Sequence, residues 1–84
     1  MIYSVSIKQS AVKALKNIPA ADRTRIINAI DRLKTNPEAG GVLKGEFSGL
    51  RRIRIGSYRV VYEVQNRKLI VLVIRIGHRR EIYR

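Results

Sequence analysis

Six consecutive apolar residues, Leu69-Ile70-Val71-Leu72-Val73-Ile74, constrain this chain more than any other feature. A half-buried strand alternates apolar and polar residues, so a run that is apolar at every position belongs in the interior of a sheet, where both neighbours and faces are covered. Its β-branched bias favours strand over helix. The stretches 50–55 and 58–64 are β-branched and aromatic as well, and Gly56-Ser57 and Gln65-Asn66-Arg67-Lys68 divide the three runs at hairpin spacing. The second half of the chain therefore predicts an antiparallel meander over 50–55, 58–64 and 69–76, followed by a short polar tail over 77–84.

The first half carries different periods. Tyr3, Val5 and Ile7 alternate with Ile2, Ser4 and Ser6, which predicts a half-buried strand. Ser10 stands as a cap before 11–18, where Val12, Leu15 and Ile18 recur at helical spacing until Pro19 stops the run. Over 20–35, Ile26, Ile27, Ile30 and Leu33 make one stripe while Arg23, Arg25, Asp31 and Arg32 face away, which predicts a second helix closing before Asn36-Pro37. The segment 38–49 contains Gly40, Gly41, Gly45 and Gly49 without a sustained period and is expected to be a loop. The order is β-α-α-β-β-β, an α+β fold with two N-terminal helices packed on one face of an antiparallel sheet. At 84 residues there is too little surface for two cores, so residues 1–84 are expected to form a single domain with a thin core.

Charge narrows the partners. Eighteen Lys and Arg against six Asp and Glu give a formal +12, a self-repulsion that a polyanion would offset, and nucleic acid is the first candidate. After Leu43 stand eleven basic and three acidic residues, so the strand half holds +8 of that charge. The absence of cysteine excludes disulfides, thiolate metal sites and cysteine nucleophiles. The N-terminal alternation does not resemble a signal peptide, and no run approaches the ~20 apolar residues of a membrane helix. A cytoplasmic location without membrane contact is the expectation.

Strand alternation sharpens the basic patch. If Ile53 and Ile55 turn to the helices, Arg52 and Arg54 turn away, and Arg59 parts from Tyr58 and Val60 in the same manner. Across Gly56-Ser57, Arg54 and Arg59 become neighbours, and two like charges that close call for an anion between them. The last run, Gly77-His78-Arg79-Arg80-Glu81-Ile82-Tyr83-Arg84, brings the only histidine together with arginines and a tyrosine where the strands end. Histidine is the side-chain type that exchanges protons near neutral pH, which makes His78 a candidate acid or base and, equally, a plain phosphate donor. Tyr83 suits stacking on a base, orienting a ribose hydroxyl, or packing at the sheet edge.

Three pieces, Leu43-Lys44-Gly45, Leu50 through Tyr62 with its Tyr58-Arg59-Val60-Val61-Tyr62 core, and Gly77-His78-Arg79 through Tyr83, resemble the RelE toxins of bacterial toxin–antitoxin pairs. The resemblance spans nearly the whole chain and implies the small RelE-like fold. It implies an endoribonuclease that enters the ribosomal A site and cuts messenger RNA with the 2′-hydroxyl as nucleophile, with no metal and no cofactor. On that basis the catalytic candidates are Arg54, Arg59, Arg79, Tyr83 and His78. Arg59 and Arg79 would meet the transition-state phosphate, Arg54 the phosphate or the leaving side, and Tyr83 the 2′-hydroxyl. Lys44, Arg51, Arg52 and Arg80 are the RNA-binding candidates. Where the best-known member has two strand lysines this chain has Arg52 and Arg54, and arginine is a poor proton donor, so His78 is the candidate acid for the leaving oxygen. The resemblance further implies an acidic RelB-like antitoxin, with a heterotetramer as one assembly open to the pair. Two other classes stay open: a ParE-like inhibitor of DNA gyrase without RNA chemistry, and a non-catalytic RNA-binding domain.

Overall fold

The structure is a computed structural model describing residues 2–45 and 49–78. The apolar run becomes β5 (Ile70–His78), flanked on both sides by other strands. With β1 (Ser4–Ile7), β2 (Gly41–Val42), β3 (Arg51–Ile55) and β4 (Tyr58–Gln65) it forms one sheet in the order β1-β5-β4-β3-β2. Helices α1 (Gln9–Lys16) and α2 (Ala20–Arg32) cover one face, with α1 against β5 and α2 against β3. The α+β architecture with two helices on one face is as the sequence predicts.

Two features of the sheet depart from expectation. The strands β3, β4 and β5 are antiparallel, but β1 runs parallel to β5, with Ser4 opposite Ile70 and Ile7 opposite Val73, so the sheet is mixed. Parallel neighbours need a crossover of about a dozen residues or more, and here the two helices carry the chain from β1 to the opposite edge, from which β2, β3 and β4 lead back to β5. The second departure is β2, which lies inside the segment expected to be loop and pairs Gly41 with Arg52 and Val42 with Arg51. Two residues are too few to show a period.

The helices end before Pro19 and before Asn36-Pro37 as expected, but α1 does not start at the expected cap. Lys8, not Ser10, takes the cap position of α1, and it makes no side-chain cap bond. Its N–H donates to the Val73 carbonyl at 3.0 Å and its own carbonyl accepts from Val12 at 3.0 Å, so the sheet sets where the helix begins. At the end of α2, Leu33, Lys34 and Thr35 donate to Ile30, Asp31 and Arg32, three residues back, and the helix tightens into a turn before Asn36.

The core lies between the helices and the sheet. Ala11 and Leu15 of α1 and Ile26, Ile30 and Leu33 of the second helical segment close on Val60, Tyr62, Val71, Val73 and Ile76. Each such aliphatic side chain contributes about 1.5–3 kcal/mol on burial. Ile27, expected in the same stripe, instead remains 47% exposed. Tyr3 helps hold the sheet's far end, its hydroxyl donating to the Asn66 Oδ1 in the β4–β5 connection at 2.7 Å.

Candidate nucleic-acid interface

The β3–β4 hairpin positions the arginines. Ile55 pairs with Tyr58, leaving Gly56-Ser57 as a two-residue turn, and Gly56 has a φ of 58°. A glycine with positive φ at the first turn position matches a type II′ hairpin, which fixes the register of both strands. Ile53 and Ile55 pack toward the core opposite Val60 and Tyr58. Arg54 is therefore directly opposite Arg59, and Arg52 opposite Val61, on the face opposite α1 and α2, which is helix-free among the described residues. Arg54 is exposed, while Arg52 and Arg59 are half-buried.

A fourth arginine joins this face through an irregularity in β5. Arg75 pairs with Val61 and Val73 with Tyr62, so Ile74 is an extra residue between two pairs. Such a bulge reverses the alternation: Val71 and Val73 are buried before it and Ile76 after it. Arg75 is thereby delivered to the helix-free face and exposed. The register across the sheet then reads Arg52, Val61, Arg75 in one row and Arg54, Arg59, Gly77 in the next. Glu63, opposite Leu72 and accepting a 2.8 Å bond from Gln65 Nε2, bounds the basic patch on the side away from the hairpin.

The structure does not bring every predicted residue to this patch. Arg51 shares the other side of β3 with Tyr62, and its Nη1 donates to the Gly40 carbonyl at 2.8 Å and the Glu38 carbonyl at 3.3 Å. Lys44 is exposed beyond β2, at the end of β3 away from the Gly56-Ser57 hairpin. His78 pairs with Tyr58, and the two rings meet edge to face with centroids 5.9 Å apart at 82°. It thus occupies the helix side, while Arg59 and Gly77 occupy the other. Arg79, Arg80 and Tyr83 lie outside the described residues.

Tyr62 organises the approach to β2. Its ring is fully buried, and its hydroxyl donates to the Pro37 carbonyl at 2.7 Å while accepting the Gly40 N–H at 2.9 Å. Burial pushes the phenol above the usual tyrosine pKa, against the opposing pull of the Gly40 N–H and the Arg51 charge, so it stays a proton donor. Residues 37–42 thus form a strap along the sheet edge, and a Cβ on Gly40 would stand 2.6 Å from the Arg52 carbonyl oxygen, which is why the strap favours glycine there. Among the described residues no set of three His, Asp or Glu side chains is grouped as metal ligands. Among the same residues no helix is long and apolar enough to cross a membrane.

Residues 5–83 match the family model described as the ParE toxin of the parDE type II toxin–antitoxin system. The chain belongs to the RelE/ParE toxins of type II toxin–antitoxin systems. Toxin RelG of Mycobacterium tuberculosis is 29% identical over all of this chain and 99% of its own length. A chain of the RelBE2 toxin–antitoxin complex from the same organism superimposes with a TM-score of 0.86 at 26% identity, over 94% of this chain and 100% of that one. A chain of the archaeal RelE–RelB complex from Pyrococcus horikoshii OT3 gives a TM-score of 0.78 at 34% identity, over 94% of this chain and 97% of its own. The RelE-like fold and the toxin family are thus as the sequence predicts.

Proposed function

We propose that this toxin is a ribosome-dependent endoribonuclease that cuts messenger RNA in the A site, using the 2′-hydroxyl of the RNA as nucleophile. The observation that carries the reading is the arginine face, on which Arg52, Arg54 and Arg59 stand in register on the side of the sheet opposite α1 and α2. In the reaction the 2′-oxygen forms a bond to the adjacent phosphorus, the bond from phosphorus to the 5′-oxygen breaks, and one proton moves from the 2′-hydroxyl as another reaches the 5′-oxygen. Negative charge builds on the phosphorane, and fixed cations stabilise it without reorganising. Arg54 and Arg59 do this work in the proposal, with Arg79 as a further phosphate ligand and Tyr83 orienting the 2′-hydroxyl. Arg52, Lys44 and Arg80 hold the RNA backbone, whereas Arg51 braces the strap that leads to Lys44. The placement of His78 beside Tyr58 limits its proton to an approach around the end of the sheet, and the reading does not depend on it.

An acidic antitoxin is the proposed protein partner. The solved relatives named above come from toxin–antitoxin complexes, and an acidic segment laid over this face would neutralise it. A second reading, inhibition of DNA gyrase without RNA chemistry, is favoured by the match to the ParE family model. Primer extension on a reporter message after brief induction of the wild type and of Arg59→Ala separates the two. Cleavage within translated codons that drops by about 10²–10³-fold in the variant supports the ribonuclease. Intact messages with growth arrest and blocked replication would transfer the protein to the gyrase class.

A further inference from the structure

β1 accompanies β5 only along its first half, from Ile70 to Val73, after which the chain turns away through Lys8 into α1. The second half of β5 thus forms one wall of a groove of about 500 Å³, and Lys8 and Ser10 form the other. Ala11 is 2% and Ile76 3% exposed, so what the groove presents is Lys8, Ser10, the half-buried Ile74, Arg75 and strand backbone. Neither Lys8 nor Arg75 takes part in an ion pair among the described residues, where the pairs are Arg25 with Asp22 and Lys34 with Asp31. Arg75 owes its position to the bulge at Ile74, and it is a diagonal neighbour of Arg59, about 7–8 Å away in a regular antiparallel pair.

We propose that Lys8 and Arg75 form a second phosphate-binding position, in which this groove holds the backbone of single-stranded RNA flanking the reacting phosphate. The proposal rests on the ribonuclease reading and deepens it: Arg54, Arg59, Arg75 and Lys8 make a continuous basic band from the β3–β4 hairpin across the sheet to the start of α1. Beside the half-buried Ile74 the walls offer two cations and a hydroxyl, a set whose charge matches a polyanion. A phosphodiester chain needs only charge and donors at the spacing of its phosphates.

The test is the salt dependence of binding between the full chain and a fluorescein-labelled single-stranded RNA oligonucleotide, with message cleavage by the wild type scored in parallel. Each phosphate contact contributes about 0.7 to the slope of log affinity against log salt for single strands, so Lys8→Gln/Arg75→Gln should flatten it by about 1.4. Arg67→Gln/Lys68→Gln removes the same charge from the exposed β4–β5 connection and should leave the slope as it was, and Arg75→Lys should restore most of the loss in the Arg75 background. Equal slopes in the wild type and the groove variant would overturn the proposal, as would an equal drop in the Arg67/Lys68 control. If the wild type leaves messages intact while the groove variant alone loses slope, the ribonuclease reading fails and the RNA groove stands.

Discussion

Tyr62→Phe removes one oxygen atom and two hydrogen bonds, and the structure fixes what each loss leaves behind. The Gly40 N–H is buried and bonded to that oxygen at 2.9 Å, so the variant strands a backbone donor away from water. A stranded buried donor costs about 1–3 kcal/mol. The Pro37 carbonyl, bonded at 2.7 Å, is half-buried and regains part of its loss from solvent, which adds about 0.5–1 kcal/mol. The ring keeps its packing, so the sum is about 1.5–4 kcal/mol, or roughly 6–32 °C in Tm for a domain of this size. Urea titration followed by circular dichroism, with wild type and variant in one buffer, reads the difference directly. Arg51→Met, which removes the 2.8 Å bond to the Gly40 carbonyl, loosens the same strap, so the double variant should lose less than the two singles added together. A Tyr62→Phe protein within about 0.5 kcal/mol of wild type would refute the claim that this hydroxyl holds the strap.

Two further outcomes follow from the same geometry. Arg54→Gln relieves the like-charge pair with Arg59, so it should raise stability by about 0.2–1 kcal/mol at low salt and lose that gain in about 1 M salt, while lowering message cleavage at least about tenfold; a destabilised variant would show that Arg54 supports the fold. Gly40→Ala meets the Arg52 carbonyl at 2.6 Å and should cost about 1–3 kcal/mol in thermal or urea unfolding, and a neutral result would mean the strap moves aside at little cost.

The parts of the fold that the sequence disclosed are those in which local period and tertiary role agree. Each of β3 and β4 has one apolar face against the helices, so alternation alone separates Arg52, Arg54 and Arg59 from Ile53, Ile55 and Val60. The same rule places Arg51 on the Tyr62 side, apart from Arg52 and Arg54. Strand β2 is illegible because its two residues are held by pairing with β3 and by bonds from Tyr62 and Arg51 to the preceding Gly40, 22 and 11 positions away in sequence. Arg75 escaped notice for a different reason. Strict alternation from Val71 and Val73 would bury a guanidinium and expose Ile76, a costly inversion, so the order Ile74-Arg75-Ile76 itself signals a slip in phase. The slip also carries His78 to the core side beside Tyr58, which proximity in sequence to Arg79 does not reveal.

The helix-free face is therefore not idle surface awaiting a ligand. Val61 is 5% exposed although it faces away from α1 and α2, and the register flanks it with Arg52 on one strand and Arg75 on the other. Arginine has a long aliphatic stem that lies along apolar surface while its guanidinium stays in water. A short cationic side chain would leave Val61 open, and a short apolar one would remove the charge that the proposed chemistry uses. Arginine meets both demands at once, which suits a face that is densely basic around a buried central valine. The remaining cost is mutual repulsion among the guanidinium groups. Because that cost disappears when an anion lies between them, RNA or an acidic antitoxin segment stabilises the fold by the same contacts through which it binds.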